Sequence, residues 1–222
     1  MLTYLIIFAR YHEVYLGIHT SSGAQAFRTE SSKKISRDFT AILEALLRET
    51  GLTLKDIDFI AVHQGPAPFT TLRATLASAQ GLAYATGIKL VGVDGLRAFL
   101  QEQHDSVGGK VTIALLNAFA GDVYYGISWG EHTDVWCVSI EDVLAQIQKI
   151  SEPIRLIGNG VIFYYERIRD VLPSVEILNP IPEMVTPDFL GKLACQKFMN
   201  EGGESQILPI YLKGNSSYLK IS

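Results

Sequence analysis

A succession of elements written twice in the same order constrains this chain more than any other feature. Residues 2–8 form an apolar strand, 14–19 alternate as a second, and 24–29 complete a meander. A helix follows over 37–49, with Phe39, Ile42, Leu43, Leu46 and Leu47 on one face. Ser36 or Asp38 is placed to cap it, and Gly51 ends it. Strand 59–63, helix 71–85, strand 90–93 and helix 94–103 come next. After a joint at Ser106-Val107-Gly108-Gly109, strands at 111–116, 123–129 and 135–138 lead to helix 140–150 and strand 154–157. Gly158-Asn159-Gly160 turns into helix 162–171, and 175–178 is one more strand. Each half thus reads β-β-β-α-β-α-β, an α/β layered domain over 1–105 and another over 106–222. The final helix starts at Pro187 with Thr186 as its cap, and it is free to pack back on the first half.

Composition removes several function classes. The chain has 222 residues, 48% of them hydrophobic, enough for real cores in both halves. A net charge of −4 and no Lys/Arg stripe leave little to hold a nucleic-acid backbone directly. The apolar run 2–9 is too short to cross a bilayer and lacks the basic region of a secretory signal. Cys137 and Cys195 are isolated, which suggests neither a disulfide framework nor a zinc site. A reduced, cytoplasmic protein without a membrane partner is the expectation.

The segment from Gly65 to Ala83, GPAPFTTLRATLASAQGLA, joins strand 59–63 to a small-residue helix through a Gly-Pro turn and a threonine pair suited to capping. A strand, tight turn and helix start can cradle an anion, because the first helical N–H groups have no internal partner. The same order also begins any ordinary crossover helix.

This segment resembles the signature of the bacterial TsaB (YeaZ) family, a GPGSFTGLR turn followed by an A-(K/Q)-G-L-A helix end. Gly65, Pro66, Phe69, Thr70, Leu72, Arg73, Ala79, Gly81, Leu82 and Ala83 match it, and Val91-Gly92-Val93 follows like the family's VGVSSL strand. Ala118 and Gly121-Asp122-Val123-Tyr124 are similar to its DAR-x-GEVY hairpin, and Pro209-Ile210-Tyr211-Leu212-Lys213 to its P-x-YLR tail. The resemblance implies a two-lobed actin-like ATPase (ASKHA, ribonuclease H-like) fold with duplicated βββαβα units. It also implies nucleotide, where bound at all, in a cleft between lobes.

The departures bear on chemistry. Ala67, Pro68, Thr71 and Thr75 replace three glycines and a serine, which restricts the turn. Phe8-Ala9-Arg10 stands where the family has Asp-Thr-Ser, and Asn117 where it has Asp. Magnesium favours carboxylate oxygens, and phosphoryl transfer depends on positioning and charge neutralisation. Phe8, Ala9, Arg10, Gly65, Pro66, Thr70 and Asn117 therefore read as a degenerate nucleotide site, with no catalytic residue, metal or cofactor expected. The histidines at 12, 19, 63, 104 and 132 have no HxxxH or HExxH spacing, so a metalloprotease finds no support. His63 ends its strand as a ligand contact or as a half-buried polar residue, and Asp122 is an acid or a turn cap.

The resemblance also implies a partner. In the family, the helices corresponding to 37–49 and 71–85 pair with the larger paralogue TsaD or with a second copy. Phe39, Ile42, Leu43, Leu46, Leu72, Arg73, Leu76, Ala79 and Ala83 are the candidate interface residues. The stripe Leu72, Leu76, Ala79, Ala83 serves equally as core, and Arg73 as a solvent-facing, lobe-bridging or partner-pairing cation. The function implied is a non-catalytic scaffold in making the threonylcarbamoyl modification of the adenosine beside the tRNA anticodon (adenosine 37). It would dimerise with and activate a TsaD-like subunit, be joined by a TsaE-like ATPase, and touch tRNA only indirectly. An active small-molecule phosphotransferase and a stand-alone homodimer are the alternatives.

Overall fold

The computed structural model describes residues 2–20, 22–104, 110–129 and 132–212. The joint at 106–109 and the end of the tail motif at Lys213 lie outside the described residues. Contacts divide the chain into one unit of Met1–Gly95 with Thr186–Ile210 and a second of Leu96–Val185 with Tyr211–Ser222.

The first unit is built on β1 (Thr3–Ala9), β2 (Glu13–Thr20), β3 (Gly23–Ser31), β4 (Phe59–His63) and β5 (Lys89–Val93), in the order β3-β2-β1-β4-β5. The β1–β2–β3 meander is antiparallel, whereas β4 and β5 run parallel to β1 through crossover helices. Strands β1 and β4 read as nearly continuous apolar runs because both of their faces are covered. Helices α1 (Ser32–Thr50) and α2 (Phe69–Thr86) cover one face, over Leu5, Ile7, Leu16, Ile18, Ile60 and Val62. Helix α7 (Pro187–Glu201) lies on the other. There Gly191 lets the helix approach Tyr4, and Phe198 stacks on Phe59 at 4.6 Å. The Thr186 hydroxyl accepts from Phe189 N, with proline in the first turn as expected.

The second unit repeats the plan. Strands β6 (Val111–Asn117), β7 (Asp122–Trp129), β8 (His132–Ser139), β9 (Ile154–Ile157) and β10 (Glu176–Ile177) lie in the order β10-β9-β6-β7-β8. Numbered within its own half, each sheet has the order 3-2-1-4-5, so the doubled element order is a doubled topology. Helices α4 (Ile140–Ile147), α5 (Asn159–Phe163) and α6 (Tyr165–Val171) supply Val143, Leu144, Ile147, Val161 and Ile168 to its core. On the opposite face Gly126 leaves room for Leu96 and Leu100 of α3 (Gly95–His104).

Local expectations shift in four places. Helix α1 begins earlier than 37: Ser31 caps it by accepting from Lys34 N, and Asp38, at φ −114°, kinks it instead of starting it. The threonine pair does not cap α2, because Pro68 occupies the cap position and Thr70 and Thr71 lie inside the first turn. Tyr164, at φ −107°, breaks the helix expected over 162–171 into α5 and α6. The strand expected over 175–178 shortens to Glu176–Ile177.

Candidate functional site

The signature loop is closed by its own side chains. Gly65, at φ 112°, makes a turn few other residues adopt, and its peptide bond to Pro66 is cis. Gly65 O accepts from Gly95 N at 2.8 Å, and Gln64 O accepts from Ile210 N at 2.9 Å. Pro66 and Ala67 are buried, while Thr70 is exposed. Thr71 is buried, and Thr75 donates its hydroxyl back to the Thr71 and Leu72 carbonyls. The loss of glycine therefore fills the turn with packed atoms.

The adjoining end of β1 is apolar. Phe8 and Ala9 are fully buried, and the Phe8 ring packs on His63 at the end of β4. His63 is fully enclosed; burial pushes its pKa down to about 3, against a smaller upward pull from the Ala9 backbone. A side chain at Gly95 would collide with His63 Nε2, so the backbone closes over the ring. His63 is thus a neutral core imidazole, fully buried rather than half-buried. Arg10 turns to its own hairpin, where its guanidinium pairs with Glu13 Oε1 at 2.7 Å.

In the second unit Asn117 ends β6 and is 8% exposed. Its Oδ1 accepts from Phe119 N at 2.9 Å, and its N–H donates to Asn159 Oδ1 at 3.0 Å. Asn159 opens α5 and went unnoticed in the sequence, where only its place in a Gly-Asn-Gly turn marked it. Gly158 and Gly160 bring α5 so close that a Cβ at Gly160 would sit 2.7 Å from Leu115 O. Asp122 begins β7, with its amide bonded to Phe119 O and its carbonyl to Ala118 N. Neither Phe8 in the first unit nor Asn117 in the second offers the carboxylate oxygen that magnesium favours. Among the described residues, no group of three or more His, Cys, Asp or Glu side chains is placed to hold a metal.

Six of the nine expected interface residues turn inward. Leu43, Leu46, Leu72, Leu76, Ala79 and Ala83 are buried in the first unit's own core, so they are not available to a partner. The stripe was ambiguous because a helix shows the same spacing toward its own sheet as toward a neighbour. Phe39 and Ile42 are partly buried at the edge of that core. Arg73 is exposed and lies over the Phe69 ring at 3.6 Å, a cation–π contact inside the helix. The outward row of α2 is Arg73, Ala77, Gly81 and Tyr84, and Tyr84 is 93% exposed.

A family model described as "TsaD: tRNA N6-adenosine threonylcarbamoyltransferase" matches residues 26–152, more than half of the chain. The tRNA threonylcarbamoyladenosine biosynthesis protein TsaB of Escherichia coli (strain K12) is 28% identical over 194 residues, covering 81% of each chain. The chain belongs to this family, on its TsaB (YeaZ) branch. The TsaB of Haemophilus influenzae is 22% identical over 226 residues, 94% of this chain and 90% of that one. The solved structure of YeaZ from Pseudomonas aeruginosa superposes with a TM-score of 0.69 at 22% identity, over 96% of this chain and 100% of that one. The TsaB-family chain accordingly has the actin-like ATPase (ASKHA) fold, with its βββαβα unit present twice. No helix among the described residues is long and apolar enough to cross a membrane.

Proposed function

We propose that this TsaB-family chain is a non-catalytic subunit of the machinery that makes N6-threonylcarbamoyladenosine at position 37 of tRNA. Membership of the family supports a role in tRNA threonylcarbamoyladenosine biosynthesis. The observation that carries the non-catalytic part is the pair of blunted strand ends. Phe8, the last residue but one of β1, is sealed against a neutral histidine, and β6 ends in an asparagine whose amide oxygen already serves Phe119 N. Neither supplies the charge that phosphoryl chemistry requires.

Its role is to pair with a TsaD-like catalytic subunit and hold it in its active form, with a TsaE-like ATPase joining the assembly and tRNA contacted through the partner. Helices α1 and α2 are the pairing surface. The small residues Ala77 and Gly81 permit close helix approach, and Tyr84 supplies an aromatic anchor of the kind that dominates interfaces. A homodimer through the same face is the form taken without the paralogue.

Reconstitution tests this. The chain is expected to co-purify with the TsaD-like protein of its own cell and to stimulate its transferase activity. Ala77→Arg and Tyr84→Asp are expected to abolish both effects while leaving the melting temperature unchanged. Tight, magnesium-dependent ATP binding by the isolated chain in calorimetry would overturn the scaffold-only reading and favour a phosphotransferase.

A further inference from the structure

The chain leaves the first unit twice, between Gly95 and Leu96 and again between Ile210 and Tyr211. Both exits are tied to one pair of neighbouring residues in the signature loop. Gly95, the last residue before the first exit, donates its amide to Gly65 O at 2.8 Å. Ile210, the last before the second, donates its amide to Gln64 O at 2.9 Å. Gln64 reaches each exit once more. Its own amide donates to Val93 O at 2.9 Å, and its side-chain Nε2 donates to Leu208 O at 2.8 Å. These hydrogen bonds join two consecutive residues to segments that are remote from each other in the chain.

The backbone is shaped to bring these segments together. Gly65 stands at φ 112°, and a Cβ there would lie 3.1 Å from Leu72 Cδ2 and 3.4 Å from Ile210 O. A Cβ at Gly92 would lie 2.3 Å from Gln64 Cδ, so the bare backbone of β5 is what leaves room for the glutamine side chain. The second exit relies on the loop more than the first does. Residues 205–210 lie in no helix or strand, and of them Ile207 alone is fully buried, in the first unit's core. A segment with no ladder of its own must find its backbone partners elsewhere. Gln64 supplies them, by its carbonyl and by its side chain.

We propose that Gln64 and Gly65 form a clasp that couples the two exits, so that loosening one loosens the other. The physical basis is the planar peptide between them. It moves as a body, so tilting the Gln64 carbonyl away from Ile210 turns φ of Gly65 and shifts the carbonyl that serves Gly95. The two amides are thus held by carbonyls that cannot move independently. The loop that carries the family likeness here grips the chain's own connections. This device does not depend on the scaffold reading, because every residue in it belongs to the first unit.

The test is amide hydrogen exchange, followed by NMR on the full chain, in Gln64→Ala and in the unaltered protein. The substitution removes a side-chain donor that touches the second exit alone, at Leu208 O. Exchange is expected to quicken about 5-fold at Ile210, the scale of one hydrogen bond, and by a comparable factor at Gly95. The amides of Ile7 and Ile60, in the central strands β1 and β4, are expected to keep their rates. Ile207→Ala loosens the second exit from its other side and should also quicken Gly95 relative to Ile7 and Ile60. Faster exchange at Ile210 with Gly95 unchanged would reveal a purely local tie and overturn the proposal. Unchanged rates at both amides would overturn it too, as would a rise shared equally by Ile7 and Ile60, which reports only a less stable unit. Should Gln64→Ala fail to fold, Gln64→Glu keeps the size but cannot donate as a carboxylate, and it is expected to give the same pair of increases at neutral pH.

Discussion

The ring of Phe8 meets the imidazole of His63 edge-on, with centroids 4.7 Å apart and planes 83° apart. They lie at the carboxyl ends of neighbouring parallel strands, Phe8 one residue before the end of β1 and His63 last in β4, at the edge where α/β sheets hold their ligands. Here that edge has been made into core, and the consequence is testable by putting a carboxylate back. Phe8→Asp is expected to lose the packing of a buried aromatic, about 3–5 kcal/mol, and to bury a charge as well. Circular dichroism should show a first unit that no longer folds, with no recovery on adding magnesium. A well-folded variant that binds magnesium would show that the site is latent.

His63 should also make stability depend on pH. Its folded pKa is about 3, below the ordinary 6.5, so between those values the unfolded chain takes up a proton that the native chain refuses. Its stabilising contribution is therefore complete above pH 6.5 and is lost as pH falls through that window, by up to about 1.4 kcal/mol per pH unit. His19 is buried and shifted the same way, with Asp188 partly opposing it, so some slope survives in a His63 variant. Urea titrations between pH 7 and 4 should give a shallower pH dependence for His63→Gln. An unchanged slope would rule out this assignment.

The two sides of α2 should behave oppositely on truncation. Leu76 is 3% exposed within the first core, and Leu76→Ala should cost about 2–5 kcal/mol in chemical denaturation. Tyr84→Ala, on the outward row, should change stability by no more than about 0.5 kcal/mol. For the same reason an acidic substitution at Leu72 or Leu76 reports on folding and not on partner binding.

Gly158 stands at φ 102°, and a Cβ there would collide with Leu115 O, with Leu115 C at 2.9 Å. Gly158→Ala should destabilise the second unit by at least about 2 kcal/mol, since backbone atoms cannot move aside as a flexible side chain can. It should also disturb the Asn117–Asn159 hydrogen bond, which proton chemical shifts of the Asn117 amide would report. An Ala variant that melts with the parent would contradict the close approach.

By itself the sequence determined whatever depends on residues near one another in the chain. Periods of two and of three to four marked the elements, and their order was the same in both halves. Thr186-Pro187 marked a helix start through bonding within one turn, and the segment from Gly65 to Ala83 carried the family likeness. The tertiary structure decided what depends on distant partners. It set which side of α2 faces the sheet, because Leu72, Leu76, Ala79 and Ala83 have the same period whichever surface they meet. It joined Asn117 to Asn159 across 42 positions, held Phe119 left-handed where no glycine announced it, and laid α7 on the first sheet. Local bonding and side-chain period are written along the chain, but the choice of face and partner is made only when remote segments compete for the same buried surface.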